Sequence, residues 1–372
     1  MNTIAIDCRM LNCSGIGSFL KGILPSLLKH RQNKWLLIGD PAQLEKYRSA
    51  NVEILNCSIP IFSIKELFSF PVKYVNRCSA FFTPNYNIPM GIKIPVYATI
   101  HDTVYLDIPG LTSKVGTLIR TQYLRLAISR ANHIFTVSNF SANRILHHFP
   151  TIKPPTVCYN GVASTLAEAH AEKLPQELSA KPYFIYVGNI KPHKGLSTLL
   201  QAFENLSDKA TLVIVGSKDN FRTSDKTISR QLSDADKSSN IIFTGHVSDG
   251  LLKALITNAA ALIQPSRYEG FGLPPLEAMQ LGTPAIISDI EVFKELYSDF
   301  PVTFFKTGDA DSLSHAIKNF IPCRIKIPGN LSDKYTYDHS AKIIYSIIEQ
   351  ESGSDSDSYS ITNNNPYNQA TT

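Results

Sequence analysis

The sequence lacks the features that would mark a membrane-spanning or disulfide-stapled protein. No apolar run approaches the ~18–20 residues of a transmembrane helix, and a strand-like segment begins almost at once, which predicts no secretory signal peptide. The six cysteines are scattered, without a Cys-x-x-Cys pair or a histidine cluster at metal-ligand spacing; they lie at positions 8, 13, 57, 78, 158 and 323. These absences predict a cytoplasmic protein with reduced, mostly buried thiols.

The sequence also has little excess charge. Its 372 residues carry a formal net charge of +5, which is too weak to predict nucleic-acid binding. It is compatible with an anionic substrate or with occasional contact with an acidic membrane surface. Hydrophobic residues make up 43% and charged residues 18%, which is typical of a globular chain, and the length suits two domains.

Short apolar runs alternate with helical patterns along the chain, which predicts doubly wound α/β domains. The predicted strands include residues 3–6, 35–38, 52–55, 79–82, 96–100, 133–137, 183–187, 212–215, 241–247 and 259–263. We expect an N-terminal domain over 1–165 and a C-terminal domain over 166–349. The last helix, from about 337 to 349, is a candidate to pack back on the N-terminal domain. The Ser/Asp/Asn-rich tail at 350–372 is predicted to be disordered.

The most informative stretch is a strand, glycine loop and helix between residues 259 and 289. The loop Glu269–Pro275 precedes a helix that we expect to begin near Leu276, with Glu277 in its first turn. A glycine loop before a helix offers free N–H groups and the positive end of a dipole to an anion. Flanking carboxylates accept hydrogen bonds from hydroxyls, so the pattern suits a nucleotide sugar. The alternative is that the glycines only turn the chain and Glu277 only complements the dipole.

Two further loops have the same strand-loop-helix arrangement. Gly15 and Gly17 follow the first strand, where they indicate either an anion seat or a tight turn. Lys191, His193 and Lys194 precede the helix at 196–203. Basic residues at a helix N-terminus oppose its dipole, so this placement favours a bound polyanion over a simple exposed basic loop.

A histidine follows the strand at 96–100, where open parallel sheets bind ligands. His101, next to Asp102, is a candidate for proton transfer or for orienting an acceptor hydroxyl; the alternative is a structural histidine. Arg120, Arg125 and Arg130 lie on a helix predicted from 118 to 130, as a solvated face or a weak membrane-surface patch.

Three Asp-x-Asp sequences are present, and none follows an apolar strand. They occur at 234/236, 309/311 and 355/357. We interpret them as solvated or helix-capping residues rather than a metal seat.

Taken in order along the chain, seven motifs resemble those of the retaining glycosyltransferases of family 4. They are Ser14–Gly17, Thr99–Asp102, Thr136–Ser138, Tyr159–Val162, Tyr186–Gly188 with Pro192–Lys194, Gly245–Asp249 and the stretch 259–289. The resemblance covers nearly the whole chain before the tail. It implies the GT-B fold, with two Rossmann-like domains facing a cleft, and is closest to bacterial mannosyl- and rhamnosyltransferases of surface polysaccharide synthesis.

The resemblance also implies residue roles. It assigns catalysis to His101, Glu269 and Lys194, with Lys194 on the donor diphosphate and Glu269 on the donor sugar. Asp102 lies on the acceptor side, Glu277 binds the ribose and Val247 lies beside the base. The remaining implied donor contacts are Gly15, Gly17, Asn189, Arg267, Gly270, Phe271, Gly272 and Leu273. Asn189 departs from the family, because many members have arginine there, and Arg267 is the candidate to replace that charge in part.

The implied ligands are a nucleotide sugar and a glycan or polyprenyl-linked acceptor, with no metal. GDP-mannose is the first expectation for the donor, and dTDP-rhamnose or a UDP-sugar are the alternatives. The expected location is the cytoplasm, at the inner face of the cell membrane if the surface contact exists. Two other classes stay open: a sugar-nucleotide epimerase of the same fold, and a non-catalytic partner subunit, which only Asn189 favours.

Overall fold

The computed structural model describes residues 2–162, 164–179, 182–204, 206, 210–216 and 240–352. The Asp-x-Asp sequences at 234/236 and 355/357 lie outside these residues, as does the tail from 353 onward. The tail prediction is wrong for 350–352, because the last helix continues through Ser352.

The N-terminal half forms a seven-stranded parallel sheet with the order β3-β2-β1-β4-β5-β6-β7. Its strands are β1 (Thr3–Asp7), β2 (Lys34–Gly39), β3 (Val52–Asn56), β4 (Ala80–Thr83), β5 (Val96–Thr99), β6 (His133–Thr136) and β7 (Thr156–Val157). The apolar runs form inner strands because a parallel sheet covered by helices needs apolar side chains on both faces. The order reverses between β1 and β4, so the loops after these two strands separate there.

The C-terminal half forms a six-stranded parallel sheet with the order β10-β9-β8-β11-β12-β13. Its strands are β8 (Tyr183–Val187), β9 (Thr211–Val215), β10 (Ile241–Gly245), β11 (Ala261–Gln264), β12 (Ala285–Ser288) and β13 (Val302–Phe305). The order reverses between β8 and β11, so the loops after these two strands enclose a crevice at the carboxyl edge of this sheet.

Helices cover the two sheets. In the N-terminal half they are α1 (Ile16–Leu27), α2 (Pro41–Leu44), α3 (Ile64–Phe68), α4 (Val72–Val75), α5 (Val104–Asp107), α6 (Lys114–Arg130) and α7 (Asn139–His148). Beyond residue 163 they are α8 (Ser164–Glu168), α9 (Gln176–Ser179), α10 (Leu196–Glu204), α11 (Asp249–Asn258), α12 (Leu273–Gln280), α13 (Glu291–Tyr297), α14 (Ala310–Lys318), α15 (Gly329–Lys334) and α16 (Tyr337–Ser352). Short 3₁₀ turns occur at Glu45–Tyr47 and Pro192–Lys194.

The last helix, α16, packs against α1 in the N-terminal half. Tyr337, Ile344 and Ile348 are buried in the same core cluster as Phe19 of α1. Gly22 permits this contact, because a Cβ at that position would lie 2.0 Å from the ring of Tyr337. The chain therefore returns to its first half after completing the second sheet. The domain boundary at 165/166 stays a prediction.

Two expectations about α6 need correction. The helix begins at Lys114, four residues before its predicted start, because Ser113 caps it by accepting a hydrogen bond from the Gly116 N–H. Its arginines do not form one solvated face. Arg130 donates to the carbonyls of Ile88 and Pro89, and Arg120 stacks over the ring of Tyr105, so of the three only Arg125 is exposed.

The prediction of mostly buried free thiols is confirmed, and the capping interpretation is confirmed for Asp309. Cys8, Cys57, Cys78 and Cys158 are buried free thiols. Asp309 caps α14 by accepting a hydrogen bond from the Ser312 N–H at 2.9 Å. Among the described helices, none combines the length and the apolarity needed to cross a bilayer.

Candidate active site

A cavity of about 980 Å³ opens between the two halves, lined by loops that follow the carboxyl ends of strands in both sheets. One wall includes residues of the loops after β1, β3, β4 and β5 and of α6. The other includes residues of the loops after β8, β9, β10 and β11 together with the start of α12. In open parallel sheets these edges are where ligands bind.

The cavity wall holds a lysine–carboxylate pair. Lys194 Nζ lies 2.8 Å and 2.7 Å from the two carboxylate oxygens of Glu269. Lys194 follows β8 and Glu269 follows β11, so the reversal of strand order between these strands brings together residues 75 positions apart. The Glu269 side chain is 8% exposed, and its Oε1 also accepts a hydrogen bond from Ser266 Oγ at 2.7 Å.

The loop before α10 places a second lysine and a histidine beside this pair. Lys191 and His193 both line the cavity. Burial, and then the charge of Lys194, lower the pKa of Lys191 and lower the pKa of His193 to about 4. The buried Nδ1 of His193 has no hydrogen-bond partner among the described residues. A cluster of this kind is suited to an anion, which would stabilise the protonated lysines.

Asn189 makes a contact between the two halves. Its Nδ2 donates a hydrogen bond of 2.9 Å to Ser14 Oγ, in the loop that precedes Gly15. Gly15 has φ of 73°, and nothing lies within 4 Å of where its Cβ would be, so its backbone faces open space in the cavity. The position where many family members have arginine therefore bridges the cleft in this chain.

The expected donor contact of Gly17 needs correction. It is buried, and a Cβ there would lie 2.4 Å from the Leu11 carbonyl oxygen. The cavity lining includes its neighbours Ile16 and Ser18 but not Gly17. Close packing against the preceding turn explains this glycine, so the tight-turn alternative holds and the donor contact does not.

Arg267 and Glu277 also depart from expectation. Arg267 is exposed, with its guanidinium beside Gly308, and it is not part of the cavity lining. Its backbone N–H donates a hydrogen bond of 2.8 Å to the His193 carbonyl. Arg267 does not replace the charge missing at Asn189. Glu277 lies in the second turn of α12 rather than the first, because Gly272, at φ of 86°, starts the helix at Leu273. Phe271, Gly272, Leu273 and Val247 line the cavity.

Glu277 remains in the cavity wall, where its environment disfavours the charged form. Burial, and then the nearby Asp249, raise the pKa of its carboxyl to about 7. Close to neutral pH this group is therefore present in both protonation states, unlike an ordinary surface glutamate.

His101 lies on the opposite wall as a neutral imidazole. Its Nε2 lies 2.9 Å from the Pro84 carbonyl oxygen, which can only accept, so Nε2 carries the proton and Nδ1 is the acceptor nitrogen. Burial lowers the pKa of His101 to about 4. Phe19 packs edge-on against the ring, with centroids 5.1 Å apart. Burial raises the pKa of the adjacent Asp102, whose Oδ1 accepts from the Val104 N–H.

Gly270 joins the glycine loop to this wall. A Cβ at Gly270 would lie 2.5 Å from the His101 carbonyl oxygen and 3.2 Å from the Asp102 Cβ. The Gly270 carbonyl in turn accepts hydrogen bonds from Ser138 Oγ and Ser141 Oγ. This glycine therefore brings the two halves into contact, and it also lines the cavity, where the ligand approach we expected for it stays a prediction.

A second set of bonds between the halves was missed from the sequence. Tyr268, just before Glu269, donates a hydrogen bond of 2.6 Å to Asp107 Oδ2. Burial alone raises the pKa of Asp107, but hydrogen bonds from Arg144, Thr103 and Tyr268 outweigh it and lower the pKa to about 2. Asp107 sits in Asp-Ile-Pro-Gly, which reads as an ordinary turn, so no sequence signal marked it. Among the described residues, no group of three or more His, Cys, Asp or Glu is placed to hold a metal ion.

Comparisons with known proteins identify this architecture. The family model described as "Glycosyl transferases group 1" matches residues 170–338, and "Glycosyltransferase Family 4" matches residues 78–165. Together they span more than half of the chain. The chain is a glycosyltransferase whose residues 78–165 match the family 4 model. The family prediction is thereby confirmed.

Two relatives have names that describe mannosyl transfer. The O-antigen chain mannosyltransferase RfbU of Salmonella typhimurium is 30% identical over 224 residues, 59% of this chain and 60% of the relative. O-antigen chain mannosyltransferase B of Escherichia coli is 29% identical over 238 residues, 62% of each chain. The matches thus span about three fifths of the length of these relatives.

Solved structures agree on the fold. Anabaena Alr3699/HepE, solved in complex with UDP-glucose, superposes with a TM-score of 0.65 at 17% identity, covering 95% of this glycosyltransferase and 98% of that chain. An E. coli trehalose-6-phosphate protein bound with UDP-2-fluoro glucose has a TM-score of 0.67 at 12% identity, covering 94% and 99%. The predicted GT-B fold is thereby confirmed.

Proposed function

We propose that this glycosyltransferase moves a hexose of the mannose or rhamnose type from a nucleotide sugar to a growing surface polysaccharide or lipid-linked oligosaccharide, with retention at the anomeric carbon. The observation that carries the proposal is the Lys194–Glu269 pair, 2.7 Å apart in a cleft between two Rossmann-like halves. A cation and a mostly buried carboxylate on loops beside a helix N-terminus suit a donor with a diphosphate next to a sugar.

Lys194 and Glu269 would bind different parts of the donor. In this proposal the diphosphate takes Lys194, with support from Lys191 and the N–H groups at the start of α12. Glu269 then accepts hydrogen bonds from the sugar hydroxyls, while Glu277 takes the ribose and Val247 lies beside the base. Gly15, Asn189, Gly270, Phe271, Gly272 and Leu273 complete the proposed donor contacts.

The chemistry follows from charge stabilisation. The bond between the anomeric carbon and the diphosphate oxygen breaks, and the acceptor hydroxyl oxygen bonds to that carbon from the same face. The hydroxyl proton passes to the departing phosphate oxygen. Lys194 and the amide donors stabilise the developing negative charge, and each donor of this kind is worth roughly 10²–10³ in rate. His101, neutral with Nδ1 as acceptor, orients the acceptor hydroxyl together with Asp102. We expect no metal in this step.

GDP-mannose is the proposed donor, supported by the mannosyltransferase names of the two relatives. dTDP-rhamnose or a UDP-sugar are the alternatives, and UDP-sugars are bound in the two solved structures. The O-antigen names of the relatives support a glycan acceptor. The proposed form of this acceptor is polyprenyl-linked, and the proposed location of the enzyme is the inner face of the cell membrane. The epimerase and the non-catalytic subunit are not favoured, because these relatives are named as transferases.

The direct test supplies the purified protein with GDP-mannose, dTDP-rhamnose and UDP-glucose in turn. A transferase slowly releases nucleoside diphosphate from its own donor, and that donor raises Tm because it binds only the folded protein. If no nucleotide sugar raises Tm or releases nucleoside diphosphate, the proposal is wrong. If the product keeps the nucleotide attached to an epimerised sugar, the epimerase is the better description.

The raised pKa of Glu277 predicts a pH dependence of donor binding. Ribose hydroxyls donate to the ionised carboxyl, so the bound donor lowers its pKa and binding releases a proton. Starting from a pKa of about 7, the donor KM should rise roughly tenfold as pH falls from about 8 to about 6. The measurement is donor KM against pH for the wild type and for Glu277→Gln. The donor KM of the variant should not change over this pH range. If the donor KM of Glu277→Gln still rises as steeply as that of the wild type, Glu277 does not bind the ribose.

A further inference from the structure

The N-terminal wall of the cavity carries an exposed aromatic ring on a strained backbone. Phe62 lines the cavity and is 58% exposed. Its φ of 57° is the only positive φ of a non-glycine residue in the part of the chain that the structure describes. A bulky residue in this region costs about 1–3 kcal/mol and persists only where its surroundings impose it. Such strain, combined with an apolar ring left in water beside a cavity, calls for a functional explanation.

A buried ionic network imposes the conformation of Phe62. The Phe62 N–H donates a hydrogen bond of 2.8 Å to Glu66 Oε2, which also accepts from Asn87 Nδ2 at 2.8 Å. Arg9 binds Glu66 Oε1 at 2.7 Å and Asp7 at 2.6 Å, with side chains at most 3% exposed. Because charges this deeply buried need all their partners, the network holds the Phe62 backbone in place, and the ring is carried on that backbone at the cavity edge.

Asn85, on the loop after β4, supplies an unused donor in the same wall. The residue is 2% exposed and lines the cavity, and its Nδ2 has no hydrogen-bond partner among the described residues. A buried amide donor without a partner costs about 1–3 kcal/mol. An acceptor atom of a ligand in the cavity would satisfy it.

We infer that Phe62 and Asn85 form a subsite for the acceptor sugar: the ring of Phe62 packs on the C–H face of a neutral pyranose, and Asn85 Nδ2 donates to one of its oxygens. An aromatic face is electron-rich and apolar, which suits C–H groups. A pyranose offers such a face together with oxygens at its edge. The assignment rests on the proposed function, in which Lys194, Glu269 and Glu277 occupy the opposite wall with the donor.

Kinetics on matched variants test the subsite. Phe62→Ala should raise the acceptor KM about tenfold, and more than it raises the donor KM. Phe62→Trp keeps an aromatic ring, so its acceptor KM should stay near the wild-type value. Phe68→Ala is the control, because Phe68 lies on neighbouring α3, is 72% exposed and is not part of the cavity lining. Asn85→Ala should raise the acceptor KM without lowering Tm, because the removed donor had no protein partner. Equal acceptor KM values for Phe62→Ala and Phe68→Ala would overturn the assignment.

A binding measurement keeps the test independent of turnover. The chain has one tryptophan, Trp35, which is buried, so a tryptophan placed at 62 reports on this wall. Emission of Phe62→Trp should shift with methyl pyranosides of the common hexoses and not with sorbitol, an open-chain polyol without a ring face. Phe68→Trp should respond to neither. No pyranoside response beyond that of Phe68→Trp rejects the subsite, even if the wild type turns over donor. A response from a protein that processes no nucleotide sugar supports the subsite and rejects the proposed function.

Discussion

Replacing Lys194 by methionine together with Glu269 by glutamine is expected to lower the rate of sugar transfer by about a thousandfold or more while the protein stays folded. In the proposed mechanism the rate falls because the variant removes both the cation that would stabilise the leaving diphosphate and the carboxylate that would bind the donor sugar. The fold persists because a neutral pair replaces a mostly buried ion pair whose charges cost desolvation energy. Initial rates with saturating donor and the Tm of each protein are the two measurements.

The single variants and a surface pair serve as controls. Lys194→Met alone leaves the Glu269 carboxylate, which is 8% exposed, without its cation, so its Tm should fall below that of the double variant. Lys306 and Asp309 form an ion pair at 3.7 Å that is far more exposed. Lys306→Met with Asp309→Asn should leave transfer unchanged, because Asn can still cap α14. Transfer by the Lys194→Met/Glu269→Gln protein above a tenth of the wild-type rate would show that the pair is only structural.

Gly270→Ala is expected to reduce transfer about a hundredfold, although it adds a single methyl group. The new Cβ would lie 2.5 Å from the His101 carbonyl oxygen, which is backbone and cannot rotate away. The glycine loop and the His101 wall must then separate, and a displacement of about 1 Å between reacting groups can cost about 10² in rate. The strained contact should also lower the free energy of unfolding by about 1–3 kcal/mol. Steady-state kinetics and denaturant unfolding measure the two effects.

Gly329→Ala is the matched control. Gly329 begins α15, and nothing lies within 4 Å of where its Cβ would be. It should leave transfer unchanged and stability equal or slightly higher, because alanine loses less backbone entropy on folding. If Gly270→Ala behaves like Gly329→Ala, the two halves do not meet at this glycine in the working enzyme.

The strands and the chemistry-bearing loops could be predicted because local sequence specifies them. A strand buried on both faces of a parallel sheet needs consecutive apolar residues, so β1, β2 and β8 stand out as runs. Likewise Lys194 and Glu269 each stand in a glycine-containing loop directly after such a run. Parallel strands place those loops at one edge, which is why residues far apart in the chain were expected in one site.

The roles of individual glycines and charged residues could not be read in the same way. Gly15, Gly17 and Gly270 look alike in the sequence, yet one faces open cavity, one packs on its own turn and one touches the other half. Arg267 comes shortly after a buried strand, where ligand-binding residues often lie, but its side chain is exposed to solvent. Phe62 had no signal at all, because its conformation depends on bonds to Glu66 and, through it, to Arg9.

The sequence by itself determined two sets of buried parallel strands and the glycine loops that follow them, because hydrophobic runs and helix starts are local properties of the chain. Only the tertiary structure decided which side chains enter the cleft. That choice depends on which atoms of the other half already occupy the space beside each residue. The fold could therefore be predicted from neighbours in the chain, whereas the composition of the cavity wall depends on neighbours in space.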